Sequence, residues 1–381
     1  DPYRALLADF EQNAMTDEFG NTATTLGTIA LSTTRAKRGS TSLRMSPANG
    51  ARGYIQTQLS GAENVNNRVW TGAFWIWIET RQSSGNLDIG GIYLNTNIGA
   101  YICVDTSGGI AYRTNATTGS FTASNTLQTG KWHHVAYHIE YGDSSNGVIK
   151  VWVDSVIKIN ENTLTMVSYA TPIYRFGTAT NVTGGCDVYY DQIIIETGWK
   201  IPTPDSIIST LNVAGAGSRT VADFTVSGAA SKYEALDESG YNDDTDYVVT
   251  NNTLASRESY AFDQIPSDVT VVYGYRAYAR HKQDGGSSGN IIYEWGKSGS
   301  GTPMMPITIS NLPGSSYATV TNSNVGGNYQ ISVDAVNGFM TKDNVNAIEI
   351  IIRENSATQK SRVTGLKTVV EYTKRRLDAP V

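Results

Sequence analysis

The chain has 381 residues, a formal net charge of −6, 17% charged residues and two cysteines. That length can bury ample core and predicts two domains. The acidic balance argues against wholesale nucleic-acid binding, and two cysteines do not make a secreted disulfide framework. No run of 18 or more apolar residues occurs, so the sequence predicts no membrane partner.

The start, Asp1-Pro2-Tyr3-Arg4, lacks both an initiator Met and a basic-then-apolar signal. This reads as a trimmed, processed or renumbered chain that folds in a reducing cytoplasm, with Cys103 and Cys186 as free thiols behaving like small apolar residues. Short strands are predicted at Thr28–Leu31 and Gly53–Gln56. In Phe74-Trp75-Ile76-Trp77-Ile78-Glu79 the period of two puts Phe74, Ile76 and Ile78 toward a core and Trp75 and Trp77 on the opposite face. Ile92–Leu94, Ala100–Val104 and Ile110–Arg113 continue the pattern, with Gly and Asn marking the turns.

The stretch Lys131–Ile159 organises the first half. His133, Val135, Tyr137, Ile139 and Tyr141 share one face of a strand, and Trp132, His134, Ala136, His138 and Glu140 share the other. Ile149, Val151 and Val153 alternate with Lys150, Trp152 and Asp154 in a second strand, across a turn at residues 142–147. After Asp154-Ser155 the chain returns as Val156–Ile159, completing a β-meander.

Ile201-Pro202-Thr203-Pro204-Asp205 reads as an extended linker, which divides the chain into 1–202 and 203–381. Beyond it, strands are predicted at Ile207–Leu211, Ala222–Val226, Val269–Arg280, Tyr317–Val320, Tyr329–Val333, Ala347–Arg353 and Arg362–Tyr372. An acidic loop runs from Glu234 to Asp246. Polar Gly/Ser/Asn clusters between about 284 and 328 read as loops, and a brief helical turn capped by Thr341 precedes Ala347. The fold class is therefore all-β, two jelly-roll-like antiparallel β-sandwich domains in tandem.

The order GKWHHVAYHIEY, turn, GVIKVWVDSVIKI resembles concanavalin A-like and laminin-G-like jelly-roll domains, with Ser155 where that family has Gly. Leu7–Glu11, Lys37–Arg44, Tyr174–Gly177 and Asp187–Ile193 fit the same resemblance. Such sandwiches serve as lectins, enzymes, adhesion modules and virion parts. In the second half Asp244-Thr245-Asp246-Tyr247-Val248 and Arg362–Tyr372 resemble a β-sandwich module of tailed-bacteriophage structural proteins. The pair of resemblances implies a virion component.

Motifs for chemistry are sparse. His134 and His138 share a strand face but stand roughly 13 Å apart, too far for one metal. Tyr241–Tyr247 clusters carboxylates but lacks the Gly and terminal Glu of an EF-hand loop, so it reads as a solvated loop. No Gly-x-Ser-x-Gly, HExxH or P-loop occurs, and no strand carries the paired carboxylates of a jelly-roll glycosidase. The basic runs Arg35-Ala36-Lys37-Arg38 and Lys374-Arg375-Arg376 read as solvated charge, with contact to an acidic partner as the alternative. Trp75, Trp77, Trp132 and Trp152 are the possible glycan or partner contacts, because rings on a non-core face concentrate binding energy.

The expectation is a non-enzymatic phage virion protein with no catalytic residue, cofactor or metal. It would be a head decoration or cement protein that docks on the capsid and projects outward, with the major capsid protein or tail components as partners, as a homo-oligomer assembled in the host cytoplasm. The alternatives are a tail or fibre protein that recognises host surface glycan, and a secreted glycan-degrading enzyme.

Overall fold

The computed structural model describes residues 3–11, 24–58, 69–94, 97–114, 118–142, 145–166, 173–197, 203–218, 224–237, 245–251, 257–283, 291–297, 305–309, 318–321, 333–334, 338–339, 342–354 and 360–374. The chain forms two compact units, the first running from Asp1 to Ser206 and the second beginning at Ile207.

Among the described residues the first unit carries fourteen strands. They are β1 (Tyr3–Ala8), β2 (Thr24–Gly27), β3 (Ile29–Ser32), β4 (Ser42–Met45), β5 (Gly53–Gln58), β6 (Val69–Thr80) and β7 (Leu87–Leu94). Then follow β8 (Asn97–Val104), β9 (Ile110–Thr114), β10 (Trp132–Glu140), β11 (Gly147–Val153), β12 (Val156–Leu164), β13 (Ile173–Thr178) and β14 (Asp187–Thr197). Eight of them form one sheet in the order β12-β11-β10-β6-β14-β4-β3, with β1 also pairing with β14. The other six form a second sheet, β2-β5-β13-β7-β8-β9. Neighbouring strands pair antiparallel, as in a jelly-roll sandwich.

The core between the sheets follows from the alternation. Trp70, Phe74, Ile76 and Ile78 of β6, Val135, Tyr137 and Ile139 of β10, and Ile149, Val151 and Val153 of β11 all point inward. They meet Tyr174 and Phe176 of β13 and Ile102 and Val104 of β8. Phe74 sits at the centre, edge-on to Phe176 with centroids 5.4 Å apart and tilted against Tyr190 at 5.8 Å. Gly72 opposes Tyr137, and any side chain on it would strike that ring, so the glycine is required by packing.

The meander Lys131–Ile159 is present as β10, β11 and the start of β12. Its second turn is a two-residue link in which Asp154 (φ 49°) and Ser155 (φ 68°) both take left-handed backbone, the geometry of a type I′ hairpin. The Asp154 carboxylate fixes the turn. It accepts the His134 amide at 2.9 Å and pairs with His133 Nδ1 at 2.8 Å. His133 Nε2 in turn accepts the Gln128 amide.

The second unit is also built of antiparallel strands: β15 (Ser206–Ala216), β16 (Thr225–Ser227), β17 (Tyr247–Val249), β18 (Arg257–Phe262), β19 (Val269–Gln283) and β20 (Ile291–Lys297). After them come β21 (Met305–Ile309), β22 (Ala318–Thr321), β23 (Val333–Asp334), β24 (Gly338–Phe339), α1 (Lys342–Asn346), β25 (Ile348–Glu354) and β26 (Ser361–Lys374). Its ten-stranded sheet runs β16-β17-β26-β15-β18-β25-β20-β21, and β19 pairs with β26 and β22. Two strands, β20 and β21, lie in the segment read as loops. Ile291 and Tyr293 supply core contacts there, an alternation that the surrounding Gly and Ser clusters obscured. Residues 241–244, Thr341 and 329–332, where the sequence suggested a carboxylate run, a cap and most of a strand, lie outside the described residues.

Candidate functional site

Two faces of the first unit carry candidate functional side chains, one on the outside of each sheet. On the six-stranded sheet the alternation that buries Ile55, Tyr174, Phe176, Ile102 and Tyr112 sends their neighbours outward. The register then aligns them. Gln56 opposes Arg175, Arg175 opposes Gly91, Gly91 opposes Tyr101, and Tyr101 opposes Arg113. This row crosses five strands, about 19 Å at the usual interstrand spacing. Gly91 leaves its middle without a side chain, and a Cβ there would lie 2.3 Å from the Ala100 carbonyl oxygen.

The charged groups of the row are fixed from both ends. Arg175 donates to Gln56 Oε1 through Nε (2.9 Å) and Nη2 (2.5 Å) and lies 4.3 Å over the Tyr54 ring. Arg113 donates to Asp88 Oδ2 at 2.6 Å and lies 5.9 Å over Tyr101. Asp88, Tyr101 and Arg175 are buried, whereas Tyr54, Gln56 and Arg113 keep solvent access. Burial raises the Asp88 pKa to about 6, opposed by the charges of Arg113 and Arg175. Opposite Asp88 stands Cys103, whose thiol burial pushes up to about 12, so it is no nucleophile.

The four tryptophans singled out from the sequence lie on the outer face of the other sheet. Trp132 opposes Trp77, and His134 opposes Trp75. Trp152 opposes Ala136, a strand further out. The structure therefore brings Trp75, Trp77 and Trp132 together and leaves Trp152 apart. They are not equally open. Trp75 is 9% exposed, beneath Lys37 Nζ at 3.9 Å and edge-on to His134, while Trp77, Trp132 and Trp152 are half-buried. Burial lowers the His134 pKa to about 4, so that ring is neutral near pH 7. His133 pairs with Asp154 and His138 with Glu140. Among the described residues no three His, Cys, Asp or Glu side chains converge as a metal site.

Sequence reasoning passed over Asp88, Arg113, Arg175, Gln56 and Tyr54 as site residues, although the strands holding Tyr54, Gln56, Arg113 and Arg175 were recognised. The available signal was a charged residue within an otherwise buried strand, Arg175 between Tyr174 and Phe176 and Arg113 after Tyr112.

A family model for polysaccharide lyases matches residues 52–194, which span every member of the row from Tyr54 to Arg175. A search of curated protein sequences finds no match. Solved structures with a similar arrangement include an endo-β-1,4-glucuronan lyase from the fungus Trichoderma reesei (14% identity, 52% of this chain and 95% of that one, TM-score 0.36). An alginate lyase bound to alginate trisaccharide is similar over 52% of this chain and 99% of its own (11% identity, TM-score 0.38). A carbohydrate esterase of the Shiga toxin-encoding bacteriophage phi24B is similar over 52% and 100% (10% identity, TM-score 0.37). Likeness at these levels says nothing about chemistry.

The family match overturns the expectation of a non-enzymatic virion decoration or cement protein. It points to the glycan-degrading enzyme that stood as an alternative. The error has a physical cause. Glycoside hydrolysis needs two carboxylates across a cleft, and the lack of such a pair in the sequence argued against catalysis, but an elimination needs no such pair.

Proposed function

We propose that the first unit is a polysaccharide lyase acting on a uronic-acid-containing polymer across the outer face of its six-stranded sheet. The observation that carries this reading is the family match over residues 52–194, which encloses the Gln56–Arg175–Gly91–Tyr101–Arg113 row.

The chemistry follows from the residue types. In β-elimination the proton on C5 of a uronate is removed, the C4–O bond breaks, a C4=C5 double bond forms, and the departing O4 gains a proton. No water is consumed. The C5 proton is hard to remove while the adjacent carboxylate is ionised, so a guanidinium on that carboxylate lowers the barrier by stabilising the charge that develops there. Arg113 fills that role: it is partly exposed and held by Asp88 in a fixed orientation. Arg175, held by Gln56, places a second, buried positive charge against the Tyr54 ring. The Tyr54 phenol is an accessible group on this face able to exchange a proton with the sugar. Gly91 puts no side chain between the two arginines in this row.

Incubating the chain with a polyuronate in water enriched in heavy oxygen tests the reading by mass spectrometry of the products. Elimination yields fragments that carry an unsaturated end and no solvent oxygen. Fragments that carry solvent oxygen at the cleaved bond would mean hydrolysis and would refute it.

A further inference from the structure

The geometry points to a second, non-catalytic glycan site on the outer face of the eight-stranded sheet, which takes a polyanionic sugar chain. Its choice of polymer rests on the lyase reading above; its existence does not.

The site is a cross-strand row in register. Trp132 of β10 opposes Trp77 of β6, Trp77 opposes Tyr189 of β14, and Tyr189 opposes Arg44 of β4. Trp77 and Trp132 meet edge to face with centroids 6.0 Å apart, and both remain half-buried in the whole chain. Arg35 stacks on Trp77, which leaves Trp132 as the half-buried ring to meet the C–H face of a sugar.

Cations frame the rings. The segment 33–41 lies across this face, tied down where the buried Asp191 carboxylate accepts the Lys37 (2.7 Å) and Arg38 (3.0 Å) amides. Glu11 holds its far end through the Ser40 and Thr41 amides. This anchoring sets the Arg35 guanidinium 4.5 Å over Trp77 and Lys37 over Trp75. Arg35 and Arg44 are answered by Glu79 and Asp187. Lys37 and Arg38 form no ion pair among the described residues, and Arg38 Nε is buried without a hydrogen-bond partner there. Lys37 and Arg38, the cations of this face whose side chains no carboxylate pairs, are the groups that would meet an anionic ligand, although Asp154 and Asp191 lie near enough to Lys37 to act on its charge. Rings and guanidiniums together match a sugar that has both an apolar face and a carboxylate.

The test separates the two faces. In an Arg113→Ala background, which slows turnover by roughly 10²- to 10³-fold, affinity for long polyuronate is measured by affinity electrophoresis with and without Trp132→Ala. Lys37→Gln with Arg38→Gln serves as a second change, which removes both charges and keeps the backbone amides that Asp191 holds. The expected result is about a tenfold loss of affinity for each, a loss on the scale of about one stacked ring, and weaker binding by the parent at high salt. With Arg113 intact, Trp132→Ala should leave turnover of short oligouronides within about twofold, too small a change for a lost contact at the reacting sugar. Unchanged affinity in both variants would overturn the site, as would equal retention of a neutral glucan. Loss of a dimer on Trp132→Ala, seen by sedimentation, would assign the face to a second copy instead. Polymer binding that needs Trp132 in a chain that never cleaves would sink the lyase reading and leave this one standing.

Discussion

Replacing Asp88 by Asn probes the electrostatics of the six-stranded face while keeping its shape. Asp88 is 2% exposed, and burial raises its pKa from 3.8 to about 6 even with Arg113 and Arg175 nearby. The folded chain therefore keeps a proton over a range in which the unfolded chain has released it. A carboxyl raised in this way contributes stability below about pH 4, and that contribution is lost as the pH rises through about 6. The rise from 3.8 to about 6 corresponds to about 3 kcal/mol. Asn carries no titrating proton, so subtracting the Asp88→Asn profile cancels most other groups. Urea denaturation at a series of pH values, followed by Trp emission, reads the difference. The wild type should lose about 3 kcal/mol relative to Asp88→Asn between acid and neutral pH. A wild type that gains on the variant over that range would mean the two arginines outweigh burial, and the reasoning about this face would fail.

Other outcomes follow from single side chains. Arg113→Ala should lower kcat/KM on a polyuronate by roughly 10²- to 10³-fold, the usual cost of losing one charge-stabilising donor. Arg113→Lys should recover little of it, because a lysine cannot present the planar fork that Asp88 orients. Ser155→Gly should stabilise the chain by about 0.5–1 kcal/mol in denaturant titrations, since Ser155 occupies left-handed backbone at φ 68°. Asp154→Ala should cost about 2 kcal/mol by the same measurement, because the His134 amide and His133 lose their acceptor.

The fold was legible in the sequence because a sandwich writes its core as alternation. Lys131–Ile159 shows this directly, and Phe74, Ile76 and Ile78 point inward as their spacing predicts. The same rule placed Trp75, Trp77, Trp132 and Trp152 outside the core. What alternation does not convey is which strands lie side by side. Gln56, Arg175, Gly91, Tyr101 and Arg113 form a row only because β13 inserts between β5 and β7. Residues 119 positions apart thereby hydrogen-bond across one strand pair. No local motif marks such a site. Lys37 over Trp75 likewise depends on Asp191, distant in the chain, capturing two backbone amides of the basic segment.

The account stands or falls on ultraviolet absorbance during incubation of the chain with a soluble polyuronate. A steady rise from the C4=C5 double bond, slowed by roughly a hundredfold or more in Arg113→Ala and kept by Trp132→Ala, is the predicted result. New reducing ends without that absorbance, or the same rise from the Arg113→Ala chain, would contradict it.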